Sequence, residues 1–229
     1  MFPETLETPR LRLTALTAET VDVRTLHDAL FTVDRERVED ELRWLPWEPH
    51  RTLKETHEYV AECSQQWAER DRATYVIRLG PGFDDEGDIV GLTYLDCFWP
   101  RRTGEMVMWT RRAYWNQGFM TEYGRAIYDL AFCELDLDLM IADAIDGNDR
   151  GYTIFTHMTE VFDGQYDGVL RNRLPDGDVV HDVHRFSITQ PQYLVAMGYE
   201  AAEELEHGPD ADPERADRID VTPKTPTAN

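Results

Sequence analysis

The stretch from Glu105 to Glu122 holds the residues whose types and spacing could do chemistry together. From Glu105 an apolar run, Met106-Val107-Met108-Trp109-Thr110, has the makings of a strand. It runs into Arg111-Arg112-Ala113-Tyr114-Trp115-Asn116-Gln117-Gly118, a loop centred on Gly118. Phe119-Met120-Thr121-Glu122 then opens a helix. A loop that tightens before a helix points several backbone N–H groups at one spot, and the helix N-terminus adds about half a positive charge there. That arrangement suits a pyrophosphate. Glu105, at the head of the strand, is a candidate general base, or else a solvated strand-end carboxylate.

Other candidates carry less. His181-Asp182-Val183-His184 invites a metal reading, but on a strand residues i and i+3 point to opposite faces, which separates the two imidazoles. Cys133 lies on an expected helix with no histidine motif nearby and reads as core. Cys63, Cys97 and Cys133 are odd in number and widely spaced, with no Cys-x-x-Cys. That argues against a disulfide scaffold or structural zinc and fits a reducing compartment. There is no Gly-x-Ser-x-Gly elbow, no Gly-Lys-Ser/Thr phosphate loop and no His-Glu-x-x-His. Trp44, Trp47 and Trp99 fall in expected loops or strand ends, where they either line a pocket or pack on the core.

These groups need elements to position them. Arg10 to Leu16 alternates with period two and reads as a strand. Thr17 is the expected N-cap of a helix to about Leu30, and the proline-broken, Trp-rich run over 31–51 a loop or broken helix. Thr52-Leu53-Lys54-Glu55 is a capping box opening a helix to about Arg70. Ala73–Leu79 and Asp88–Asp96 flank a Gly- and Asp-rich hairpin loop, and Glu105–Thr110 follows as a third strand. A helix is expected from Thr121 to about Leu135, a buried strand over Leu139–Ile145 and a helix over 149–160. Gly168–Leu174 and Val179–Thr189 read as strands joined by the turn Pro175-Asp176-Gly177. A last helix is expected from Pro191 to about Glu206. The class is α/β or α+β, as a single domain over 1–206, and the acidic residues 207–229 read as a disordered tail.

Composition narrows the function. The chain has 229 residues, 45 acids and 23 bases, for a net charge of −22. A phosphate footprint needs a basic face, so a general nucleic-acid binder is excluded, as is docking on an anionic membrane. No run approaches the ~18 apolar residues of a membrane span, and the N-terminus has no signal-peptide pattern. Only Lys54 and Lys224 are lysines; the other 21 bases are arginines. An acidic, lysine-poor chain is the balance expected in concentrated salt, where a Debye length of roughly 3 Å at 1 M screens carboxylate repulsion. A salt-adapted cytoplasm is the expected setting.

The Glu105–Glu122 segment resembles the acyl-CoA-binding motif of the GNAT acetyltransferases, in the form of the RimJ/RimL-like protein N-acetyltransferases. Their loop, Tyr-Trp-Gly-Arg-Gly-Tyr-Ala-like, has its counterpart in Tyr114-Trp115-Asn116-Gln117-Gly118-Phe119-Met120. Thr8-Pro9-Arg10-Leu11-Arg12-Leu13 resembles the family's opening strand, and Asp88-Ile89-Val90-Gly91 its Ile-Val-Gly strand. Asn148 follows the fifth strand, where the family places an asparagine. Gly168–Arg171 and Asp182–Ile188 resemble its closing hairpin. The likeness covers about residues 8–200.

The resemblance implies a GNAT α/β fold, a mixed twisted sheet splayed at its central strands with flanking helices. It implies acetyl-CoA as acetyl donor and no metal. The pantetheine arm would lie along Met108, Trp109 and Thr110, the pyrophosphate on the amides of Asn116, Gln117, Gly118, Phe119, Met120 and Thr121, and Asn148 would touch the CoA arm. The acceptor would be a primary amine, such as a protein N-terminus, attacking the thioester directly. The family also admits a homodimer. Departures are specific. Gln117 stands where the family often has a basic residue, with Arg111 or Arg112 near to compensate, and Met120 where it has Gly or Ala. Gly151 and Phe155 replace the Ser or Tyr that often serves as acid. Tyr152 is then the adjacent candidate, or the thiolate leaves to water. The alternative is a catalytically degenerate acyl-CoA-binding or protein-interaction module.

Overall fold

The computed structural model describes residues 1–198 apart from 33, 34, 46 and 47. Trp47 and the acidic tail therefore lie outside the described residues, as does the chain beyond Gly198.

Period-two alternation builds the first long strand. In β2 (Leu11–Ala15) Leu11, Leu13 and Ala15 are buried while Arg12 is exposed. It pairs with a short β1 (Thr5–Glu7), whose three residues are too few to show a period. The other strands are β3 (Arg72–Leu79), β4 (Ile89–Phe98), β5 (Thr103–Thr110), β6 (Leu139–Ile145), β7 (Gln165–Asp176) and β8 (Val179–Thr189). They form one sheet in the order β1-β2-β3-β4-β5-β6-β8-β7. Every neighbouring pair is antiparallel except β5–β6.

That exception shapes the molecule. The parallel pairing of β5 with β6 spans only Thr103↔Leu139, Gly104↔Met140 and Glu105↔Ile141. Beyond Glu105, β5 follows β4 as far as Gly91↔Thr110, while β6 follows β8 as far as Ile145↔Val183. The sheet therefore splays from Glu105 onward, and the β5 backbone facing β6 has no strand partner there among the described residues. Gly91 fixes the other side. A Cβ on Gly91 would stand 2.1 Å from the Trp109 carbonyl oxygen, so only glycine admits this approach of β4 to β5.

Helices cover both faces. α1 (Val23–His27) is capped by Asp22, whose carboxylate accepts the Thr25 N–H, rather than by Thr17 as expected. Thr17 instead closes a turn with Thr20, and a π-helical turn over Asp28–Thr32 continues α1. α2 spans Arg35–Leu42, and α3 (Leu53–Glu69) carries the expected Thr52–Glu55 capping box. Leu16, Leu26, Leu30, Leu42, Val60, Val76, Leu92 and Trp109 form the core under α1–α3. α4 (Phe119–Asp129) starts two residues before the expected Thr121, and a π-helical turn over Leu130–Glu134 completes that stretch. α4, α5 (Asp149–Val161) and α6 (Gln190–Ala196) bury Tyr123, Ile127, Phe155, Met158 and Tyr193 on the opposite face. α6 stops at Ala196 rather than Glu206, because Gly198 at φ +76° takes the left-handed turn that ends helices. None of the helices described is long and apolar enough to cross a membrane.

Candidate active site

The splay opens a cavity of about 370 Å³. One wall is β5, from Glu105 through Thr110; another is the chain after β6, with Gly147, Asn148 and the first turns of α5. Trp115, Met120 and, from the chain after α2, Arg43, Trp44 and Leu45 complete the lining, with Glu41 of α2. The expected strand residues Met108, Trp109 and Thr110 are thus brought together along the open edge. Trp109 Nε1 is buried with no hydrogen-bond partner among the described residues.

The loop after β5 is held from outside. The Glu122 carboxylate accepts from Thr8 Oγ1 at 2.6 Å, from the Arg10 N–H at 2.8 Å and from Arg10 Nε at 2.6 Å. Arg10 also donates to the Gln117 carbonyl at 2.9 Å, and its guanidinium lies 4.7 Å from the centre of the Phe119 ring. Asn116 (φ +61°) and Gly118 (φ +75°) turn the chain into α4. No side chain caps α4, so the first-turn amides, Phe119, Met120 and Thr121 among them, point outward without intrahelical partners. This edge and these amides fit an acyl-CoA: a polar strand edge for an amide-bearing arm, and a helix N-terminus for phosphate.

Several residues act differently from expectation. The Phe119 ring is core, so only its amide is available. The Gln117 side chain folds back onto the Ala113 carbonyl at 3.3 Å. Met120 does reach the cavity wall. The Arg112 N–H is taken by the Glu41 carboxylate at 2.8 Å, while its guanidinium lies 5.6 Å from the Trp115 ring centre. Arg150 and Arg43 line the cavity; Arg150 lies 3.5 Å from the same ring centre and is close enough to Arg112 to feel its charge. Asn148 lines the cavity too, but its Oδ1 caps α5 by accepting the Gly151 N–H at 3.0 Å. A Cβ on Gly151 would sit 2.6 Å from Asn148 Nδ2, so a serine there requires Asn148 to move.

Tyr152 is not brought to the site. Its ring packs edge-on against Tyr166, His184 and Phe186, and it is not among the residues that line the cavity. Among the tryptophans, Trp44 lines the cavity beneath Arg43 and covers Gly147. Trp99 lies elsewhere, its Nε1 donating to the Arg70 carbonyl at 2.8 Å. Cys133 is exposed rather than core, whereas Cys63 and Cys97 are buried. His184 bonds the Tyr166 hydroxyl at 2.9 Å and lies 3.2 Å from Asp146, and His181 lies 3.5 Å from Asp176.

Glu105 sits where the strands part, its side chain 17% exposed. Burial raises its carboxyl above the usual range, and the nearby Asp143 charge raises it further; Arg173 and Arg185 oppose the shift. Asp143 is held by Arg185 through two bonds of 2.8 and 2.6 Å. Asp143, Arg173, Arg185 and Arg150 escape a reading of local motifs, because each comes to the site from a strand or helix distant in sequence.

The comparisons with known proteins agree with this geometry. The model of the acetyltransferase (GNAT) domain matches residues 10–158, so the chain belongs to the GNAT acetyltransferase family and is an acyltransferase. Among solved structures it resembles a GCN5-related N-acetyltransferase from Brucella melitensis, with TM-score 0.68 and 17% identity over 89% of this chain and 88% of that one. It also resembles RimL, a ribosomal alpha-N-protein acetyltransferase, with TM-score 0.66 and 15% identity over 81% of this chain and 94% of that one. Spermidine N-acetyltransferase from Vibrio cholerae, solved with CoA and spermine, gives TM-score 0.62 and 18% identity over 80% and 98%. At such identities these likenesses establish the fold. Among curated protein sequences none matches the chain.

Proposed function

We propose that this chain moves an acetyl group from acetyl-CoA to a primary amine within a ternary complex, with Glu105 as general base. The observation that carries the reading is the position of Glu105. A largely buried carboxylate with a raised pKa stands at the point where β5 parts from β6, on the wall of the cavity that holds the open strand edge.

Acetyl-CoA supplies the acyl group as a thioester. The phosphates rest on the α4 amides, with Arg150 and Arg112 supplying the charge that Gln117 lacks. Backbone N–H groups of β5 past Glu105 polarise the acyl carbonyl. Glu105 takes the ammonium proton, directly or through one water, and frees the amine to attack. With Gly151 and Phe155 in the usual acid positions and Tyr152 outside the cavity lining, no side-chain acid is assigned to the sulfur. A thiol with a pKa near 8.5 leaves readily as thiolate, and the proton shed by the attacking nitrogen as the amide forms passes to that thiolate or to solvent.

A protein N-terminus is the favoured acceptor. Its amine has a pKa of about 7.7–8.0, against about 10.4 for lysine, so a single carboxylate can deprotonate it near neutrality. The acceptor end also balances two acids, Glu105 and Asp143, against Arg173 and Arg185, which gives a polycation little net attraction. The lysine-poor composition supports work in a salt-rich cytoplasm.

The test is acetyl transfer to a panel of N-terminal peptides, read by mass and by CoA release, in wild type and Glu105→Gln. The reading expects turnover to fall at least tenfold in the variant while acetyl-CoA affinity is kept. Binding without transfer in the wild type would favour the degenerate binding module, and full activity in Glu105→Gln would remove Glu105 as base.

A further inference from the structure

The β7–β8 hairpin departs from regular pairing beside the site. After a first one-residue shift between Tyr166 and Gly168, the register runs from Gly168↔Arg185 to Leu170↔Val183 and resumes at Leu174↔His181. Between these pairs Arg171, Asn172 and Arg173 face the single residue Asp182, a bulge larger than the usual two residues against one. Asn172 takes φ +50° and donates its N–H to the Asp182 carboxylate at 2.8 Å, so the bulge is held by a specific contact. The bend carries Arg173 over β8 and β6 toward β5. Its Nη2 donates to Glu105 Oε2 at 3.3 Å, and its Nε stands 3.7 Å from Asp143.

The charges around Glu105 divide cleanly. On β4, Asp96 pairs across the strands with Glu105 but is gripped by Arg72 of β3, with Nη2 to Oδ2 at 2.8 Å. Tyr94 of β4 is the next titratable group on that strand, and Glu41 of α2 lines the same cavity. On β6, Asp143 is already held by Arg185 of β8 through two bonds. The two neighbouring acids thus each have an arginine in close contact, and the guanidinium beside Glu105 is that of Arg173.

We propose that Arg173, carried in by the β7 bulge, is a positioning residue that holds the Glu105 carboxylate ionised and turned into the cavity. This rests on the reading of Glu105 as base. Burial and the Asp143 charge favour the neutral carboxyl, and Arg173 is the leading influence against them. Its grip is one hydrogen bond rather than a fork, so a point charge can replace it.

The deciding experiment is a carbon-13 titration of the Glu105 carboxyl, its signal assigned by its loss in Glu105→Gln. It is run in wild type, Arg173→Gln and Arg173→Lys, with thermal unfolding confirming that each variant folds. Arg173→Gln is expected to raise the midpoint by about one pH unit or more. Arg173→Lys is expected to keep most of the wild-type value. The acid limb of kcat/KM for the amine should move by the same amount, with KM for acetyl-CoA unchanged. A midpoint that ignores Arg173→Gln overturns the proposal, as does a lysine variant no better than glutamine. Turnover indifferent to Glu105→Gln would remove the base assignment alone; the carboxyl midpoint still decides whether Arg173 acts on Glu105.

Discussion

Ionising Glu105 works against burial and against a second acid, so its raised pKa is a statement about stability as well as chemistry. A carboxyl whose folded pKa is raised binds its proton more tightly in the native state. Stability from this group is therefore present at low pH and declines as pH rises from the ordinary Glu value through the raised one. Glu105→Gln, which mimics the neutral form, should unfold at a higher temperature than wild type at pH 7–8. The gain should vanish near pH 4, where both side chains are neutral; a variant less stable at every pH would contradict the assigned shift. The cost appears in turnover, expected to fall by about 10²–10⁴ if the carboxylate is the base. The thiols give a second test. Burial pushes Cys97 up to about 12 and raises Cys63 as well, while Cys133 is exposed. A native-state thiol reagent at pH 8 should label Cys133 alone, with Cys63 and Cys97 reacting only on unfolding. Glu105 and Met108–Thr110 were legible because a strand–loop–helix signature is local. Arg173 was not, since it lies 68 residues from the carboxylate it bonds. Adjacency along α5 says nothing about which side of the helix faces the cavity, and the ring of Tyr152 packs in the Tyr166–His184–Phe186 cluster.

At the scale of elements, the gap between β5 and β6 is set by close contact elsewhere. β4 and β5 meet so tightly at Gly91 that Gly91→Ala must push the Trp109 carbonyl away. A loss of about 1–3 kcal/mol is expected from such overpacking, visible as a lowered unfolding temperature, together with weaker acetyl-CoA binding because the open edge shifts. An Ala variant as stable as wild type would show that β5 yields without strain. The helix end makes a separate prediction. Arg150→Ala should raise KM for acetyl-CoA about ten- to a hundredfold, in line with roughly 1.5–3 kcal/mol for a charge-assisted bond to phosphate, and should leave kcat near wild type. A fall in kcat at unchanged KM would instead put Arg150 at the acceptor. Most long elements were legible, since β2 and α4 carry clear periods, α3 a capping box, β6 a continuous apolar run and β8 a turn signal before it. The gaps have physical causes. β1 is too short for a period, Asp22 outcompetes Thr17 as cap, and the bulge of β7 is fixed by Asp182 on the partner strand rather than by its own residues. The splay itself is a property of pairing, invisible in either strand alone; only the family resemblance pointed to it.

The molecule as a whole carries −22, and residues 200–229, with nine acids and three bases, account for only −6 of it. The remaining −16 belongs to residues 1–199, so self-repulsion acts on the folded body. Several of its arginines are paired with acids at short range: Arg10 with Glu122, Arg72 with Asp96, Arg102 with Asp136 and Asp138, Arg185 with Asp143. Such contacts survive screening better than the long-range repulsion does, because the Debye length falls from about 10 Å at 0.1 M to about 3 Å at 1 M. Added KCl should therefore remove the unfavourable part of the electrostatics first, and the unfolding temperature should climb steeply between these concentrations. The same titration tests the ligand. Acetyl-CoA at ~100 times its Kd should add roughly 2.7 kcal/mol, a rise of roughly 5–10 °C for a chain of this size. The two effects separate by their salt dependence. The rise from KCl needs no ligand, while the rise from acetyl-CoA should shrink in high salt as far as Arg150, Arg112 and the α4 amides grip phosphate by charge. A ligand shift that stays constant across salt would assign the affinity to the β5 edge instead, and a flat unfolding temperature in KCl would make this an ordinary acidic protein.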